Sequence, residues 1–262
     1  MSRAIRMLLA ATAVGGLALS ALMTTGAAAA TVNGPGTHGP GSWHFSLGTG
    51  PRATGPVAAT ATSNRTFAGY QTAVRAGSAT VATATFTVPT LTCTTADRAI
   101  AADVGVLVNN YKTASLAGVI TGCANGTAVY YPSVVVNGTE TDYTTTPIAA
   151  GDVITVTAKV SVNRTRVQVT DVTTGVTQKI IGAGARASAA FIGNDALFTS
   201  SGALLHVPDF GKVTFKSCLI DGNALGSLHS AAYQRVNGST VQITLGSFQP
   251  GGTAFTTRFM HS

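Results

Sequence analysis

One glutamate, Glu140, occurs among the 262 residues, and it lies in a loop-like stretch, NGTETDY. Any chemistry that needs a glutamate has this residue or none. No Cys-x-x-Cys or His-x-x-x-His spacing occurs, and His38, His44, His206, His229 and His261 are scattered along the chain. A metal is therefore not expected, and neither is a cofactor. There is no Gly-x-Ser-x-Gly elbow, and Cys218 near Lys216 has no histidine at a recognisable spacing. The common serine and cysteine nucleophile arrangements are missing as well.

Long apolar runs are absent too, apart from one at the start. Arg3 and Arg6 precede MLLAATAVGGLALSALM, and GAAAA follows, the order of a signal peptide cleaved after Ala30. The Gly-Gly interruption and the missing basic stop-transfer flank argue against a membrane anchor. The chain from Thr31 is then an exported protein with no membrane span. Without Arg3 and Arg6, 14 basic residues face 9 acidic ones, a net charge of +5. The cations stand singly, with no run of three and no aromatic interleaving. We read the balance as a shortage of acids, not a nucleic-acid footprint, and expect no nucleic-acid partner. Cys93, Cys123 and Cys218 allow at most one internal bridge.

What is present begins with residues 31–62, rich in glycine and proline and without a period. Such a stretch cannot bury a core, and reads as an extended or disordered leader or linker that could also be a pro-segment. Trp43, the lone tryptophan, lies within it. From residue 63 to 262 the pattern changes to short Val- and Thr-rich runs ended by Gly, Pro or Asn. Ile154, Val156, Ala158 and Val160 alternate with Thr155, Thr157 and Lys159. Val213 and Phe215 alternate with Lys212, Thr214 and Lys216, and Val241, Ile243 and Leu245 with Gln242 and Thr244. A period of two with one apolar face describes half-buried antiparallel strands. With no amphipathic helix and no solenoid repeat, the fold class is all-β, two packed antiparallel sheets.

Six blocks, in order, resemble the glutamic peptidase (eqolisin) family. SNRTFAGYQTA is similar to its opening Asn-Trp-Ala-Gly-Tyr strand, with Phe67 in place of tryptophan. ATATFTVPTLTC resembles its Val-Pro strand, AADVGVLV its Trp-Val-Gly-Ile-Asp stretch, and PIAAGDVITVTAKV its Gly-Asp-x-Ile strand. ASAAFIGND resembles Asn-Ala-Glu-x-Ile-x-Glu-Asp, and VPDFGKVTFKSCLIDG the final Phe-Gly block. The resemblance implies a concanavalin-like β-sandwich of two curved sheets with a substrate cleft on the concave face. It also implies a bridge from Cys93 to Cys123, as in bacterial members; two buried thiols are the alternative.

Family members cleave peptides with a glutamate that takes a proton from water and a glutamine that donates to the oxyanion. Matched on LAGVITG, the glutamine position falls on Ile120; matched on ASAAFIGND, the glutamate position falls on Ala190. Neither side chain can do the work. If these positions are right, Ile120 and Ala190 sit side by side on the concave face. Asp103, Tyr130, Tyr131 and Asp195 are the candidate cleft residues. Two readings follow. One is a non-catalytic exported sandwich that binds a polypeptide or glycan in the former cleft. The other is an active acid endopeptidase with displaced carboxylates, Asp103 and Asp195 sharing a proton.

Overall fold

The computed structural model describes residues 44–45, 61–96 and 98–261. The expected signal segment 1–30, Trp43 and most of the expected leader 31–62 lie outside these residues. Seventeen strands follow one another. They are β1 (His44–Phe45), β2 (Thr62–Asn64), β3 (Phe67–Ala73), β4 (Thr80–Thr87), β5 (Arg98–Val108) and β6 (Thr113–Ala124). Next come β7 (Thr127–Val136), β8 (Thr139–Asp142), β9 (Val153–Val160), β10 (Arg164–Asp171), β11 (Thr177–Ala183) and β12 (Ala187–Phe198). The last are β13 (Lys212–Ile220), β14 (Asn223–Ala224), β15 (Ser230–Asn237), β16 (Thr240–Leu245) and β17 (Phe255–Phe259). The only helical turn among the described residues is a short 3-10 segment, Leu225–Ser227.

The strands form two layers. The first runs β8-β7-β6-β5-β12-β3-β15, and the second β11-β10-β9-β4-β13-β17. β16 pairs with both β15 and β17, so one hydrogen-bonded sheet folds over on itself. All of these pairs are antiparallel; β2 alone lies parallel, beside β15. The fold is the all-β sandwich of two antiparallel sheets that the alternation describes, curved as the resemblance implies. Within the leader, His44 and Phe45 pair with Phe198 and Leu197 at the end of β12.

The core lies between the layers. Val104, Val106, Val119, Ala190 and Ile192 of the first sheet meet Phe86, Val156, Val167 and Phe215 of the second. β9 shows the pattern that makes this possible, its even-numbered residues buried and its odd-numbered ones partly or fully exposed. β5 and β6 do not alternate, because almost every position is buried. Their second face is covered by two smaller apolar clusters, one around Ile120, Tyr131, Leu197 and Leu205, the other around Phe67, Leu116, Phe191 and Tyr233.

Asn125–Gly126, Asn137–Gly138 and Asp221–Gly222 all have positive φ at both residues, as type I′ hairpin turns require. The second of these corrects the reading of Glu140. NGTETDY is not a loop: Asn137–Gly138 is the turn, and Glu140 lies on strand β8.

Cys93 and Cys123 form a disulfide with Cα atoms 5.5 Å apart, tying the segment after β4 to the end of β6. The sequence separation is 30. Closing a loop of that size restricts the unfolded chain by about 3.6 kcal/mol. The Cys93→Ser/Cys123→Ser double variant should show a denaturation midpoint lowered to match; an unchanged midpoint would mean the bridge adds nothing. Cys218 is free and buried, and burial pushes its thiol up to about 12, so it is not a nucleophile at neutral pH.

Candidate functional site

The outer face of the first sheet, turned away from the second, carries the candidate residues in rows set by strand register. One row reads Tyr131, Ile120, Ala101, Asp195, Phe67 across β7, β6, β5, β12 and β3. The next, two residues along, reads Asp142, Ser133, Gly118, Asp103, Gly193, Gly69, Tyr233. A third carries Glu140 on β8 and Gln71 on β3. Four of the chain's nine acids, the lone glutamate among them, therefore share this face.

Asp103 and Asp195 are diagonal neighbours, since Asp103 is opposite Gly193 and Asp195 lies two residues further on β12. Diagonal side chains on one face lie within reach of each other. Gly118 makes the room: a methyl there would stand 2.6 Å from the Asp103 β-carbon. Asp103 is fully buried, and neither of its oxygens receives a donor from an N–H or hydroxyl group. Burial, then the Asp195 charge, holds its pKa well above the usual carboxylate range. It therefore keeps its proton, and in that state its hydroxyl is a hydrogen-bond donor toward Asp195. Burial pushes Asp195 up to about 7, opposed by the Asp103 hydrogen bond and the charge of Arg235. Asp195 is 8% exposed, the member of the pair that reaches solvent.

Arg235 completes the cluster, and the sequence reading did not single it out. It comes from β15, two residues beyond Tyr233 on the same face, and it has no solvent exposure. Its Nη2 donates to the Leu205 carbonyl at 2.9 Å, while Nε and Nη1 find no acceptor. Burial pushes its pKa down to about 10, partly offset by Asp195, so it stays charged at neutral pH. The one signal in the sequence was period two: AAYQRVN puts Ala231, Tyr233 and Arg235 on a single face.

Two expectations need correction. Ala190 is opposite Val106, whereas Ile120 is opposite Ala101. Five positions along β5 is roughly 17 Å, and an odd offset places the side chains on opposite faces. Ala190 belongs to the core between the layers, so the two do not sit side by side. Tyr130 fails for the same reason. Adjacent residues of a strand point to opposite faces, so only Tyr131 shares the outer face with Ile120. Tyr130 packs against the inter-sheet core, and its hydroxyl accepts from the Leu91 N–H at 3.3 Å. Tyr131 is buried against Ile120, and burial together with the nearby charges of Asp142 and Glu140 raises its pKa. No group of three or more His, Cys, Asp or Glu placed to hold a metal ion occurs among the described residues.

The strand order defines a two-sheet antiparallel β-sandwich with an acid-bearing outer face. The Peptidase A4 family model matches residues 65–257, and the chain belongs to that family. Solved structures agree on the fold. Scytalido-glutamic peptidase with a transition state analog inhibitor superposes with a TM-score of 0.60 at 18% identity, over 75% of this chain and 98% of that one. SCP-B, an eqolisin in complex with the tripeptide Ala-Ile-His, gives 0.56 at 18% identity, over 74% of this chain and all of the other. Aspergilloglutamic peptidase from Aspergillus niger gives 0.50 at 19% identity, over 62% of this chain and 99% of that one. No curated relative matches the sequence.

Proposed function

We propose that this is an exported member of the family that holds a polypeptide segment on the outer face of its first sheet without hydrolysing it under acid conditions. The observation that carries this reading is the burial of the Asp103–Asp195 pair, which favours the protonated form of both. A general base must be ionised to take a proton from water. Asp195 titrates near 7 and Asp103 above its usual range, so at acid pH both are protonated. Beside them, Ile120 offers hydrocarbon where an oxyanion would need a donor. Phe67, Tyr131 and Leu205 are buried within this face, and its acids lie in register, with Glu140 on β8 half-buried. SCP-B, with the same fold, is known in complex with a tripeptide.

The second reading, hydrolysis by displaced carboxylates, is favoured by one specific observation. Asp103 and Asp195 do meet, and a carboxyl pair sharing one proton is the arrangement of aspartic peptidases. Its rate would then rise toward neutral pH as Asp195 ionises. The purified protein should bind a denatured, unstructured polypeptide yet leave it intact between about pH 2 and 5, where carboxyls of ordinary pKa begin to ionise but this pair does not. Cleavage in that range would overturn the non-catalytic reading, and cleavage that appears only toward about pH 7 to 8 and is abolished by Asp195→Asn would establish the second.

A further inference from the structure

The face of the molecule opposite the acidic one has the reverse charge. It is the outer face of the second sheet, six strands and roughly 24 Å wide from β11 to β17. Its outward residues are the exposed or half-exposed alternates of each strand. None of these outward residues is Asp or Glu; the one acid on the six strands, Asp171, is buried. No acid among the described outward residues of these strands faces the cations, which are even adjacent; Arg166 Nη2 donates to Gln168 Oε1 at 2.6 Å. Arg166 is directly opposite Lys159, and Lys212 directly opposite Arg258. Like charges in register across a strand pair destabilise a sheet, and an acid on either neighbour would have removed the cost. Lys179 and Lys216 extend the field to either side.

Between the cations lie hydroxyls in register. Thr177, Thr170, Thr155 and Thr85 form one row across four strands, and Thr83 and Thr157 begin the next. The Thr85–Thr155 and Thr170–Thr177 hydroxyls are 3.0 and 3.1 Å apart. No aromatic side chain points outward from these strands. Cations interleaved with hydroxyls are the donor set that phosphodiester oxygens accept from. Without aromatics the face cannot stack bases as single-strand binders do. At this width it cannot enter a DNA major groove of about 12 Å.

We infer that the outer face of the second sheet is a docking surface for a linear polyol-phosphate polymer, the kind of anionic chain built into cell envelopes. The inference draws on the reading that the chain is exported, and is independent of whether the opposite face is catalytic. Docking there would hold the protein at an anionic envelope with its acidic face turned outward.

The test is binding of synthetic poly(glycerol phosphate) to the intact mature protein, followed against salt concentration. Affinity should fall linearly with the logarithm of salt. The triple variant K159Q/R166Q/K179Q should bind at least about tenfold more weakly at low salt, with the slope reduced by roughly two. All three side chains are exposed, and removing Lys159 relieves its pair with Arg166, so the variant should melt no lower than the parent. A control, R65Q/R75Q/K112Q, makes the same charge change at exposed sites off this face and should bind like the parent. Equal weakening in both triples would reduce the effect to net charge and overturn the proposal. So would no binding by the parent at low salt, or tighter binding to duplex DNA or to phosphatidylglycerol vesicles than to the polyol phosphate.

Discussion

Thermal unfolding should occur at a higher temperature near pH 4.5 than near pH 8, the reverse of an acid-denatured protein. The sign comes from the buried pair. Asp195 has a folded-state pKa of about 7, against about 3.9 in an unfolded chain. Between those values the folded state binds more protons than the unfolded one, so stability falls as pH rises. The contribution is fully present below about pH 4 and is lost through pH 7. Roughly three pKa units correspond to something on the order of 4 kcal/mol, and to a melting shift on the order of 10 °C for a chain of this length. Asp103, raised in the same direction, adds to the effect. Asp103→Asn should flatten it in part. The amide is neutral in the buried site at every pH, so the variant should melt higher than the parent near pH 8. A melting temperature that climbs from pH 4.5 to pH 8 would show that burial does not raise the two carboxyls as described.

Replacing Arg235 with methionine should be among the most damaging single changes at neutral pH. The guanidinium has no solvent exposure, and it offsets the Asp195 charge. Removing one partner of a buried charged pair leaves the other without compensation, typically a loss of 3–5 kcal/mol. The Leu205 carbonyl loses a donor as well. The cost should be smaller near pH 4.5, where Asp195 is protonated and needs no cation. The double variant Arg235→Met/Asp195→Asn should recover much of the loss at pH 8. Denaturant unfolding at the two pH values checks this, and an equal cost at both would make the arginine a packing residue only.

Much of the fold could be read from the chain because period two is a local property. Ile154, Val156, Ala158 and Val160 carry their own instruction to bury one face, and β9 pairs with β4 and β10 as that pattern requires. β5 and β6 could not be read this way. AADVGVLV and SLAGVITG are buried on both faces, so no alternation marks which side is which. Only the six-block resemblance located them, and it did not settle their register. For that reason the matching puts Ala190 beside Ile120. A one-residue offset moves every side chain to the other face, and block matching does not detect it. The same parity separates Tyr131 from Tyr130.

The sequence by itself determined the fold class, the candidate disulfide partners, and the scarcity of acids that makes each acid's position matter. Tertiary structure decided where the charges go. Lys159, Arg166, Lys179 and Lys216 are isolated in the chain because a strand offers the same face only every second residue. Pairing of β11, β10, β9, β4 and β13 brings them onto one surface. Asp103 and Asp195 are far apart in sequence and meet through one strand register, with Gly118 leaving the space. Arg235 reaches them from a strand whose neighbour is β3, not β12. Local pattern can tell a residue to face inward or outward. Which residues it faces is set by strand order and register, and those belong to the whole sheet.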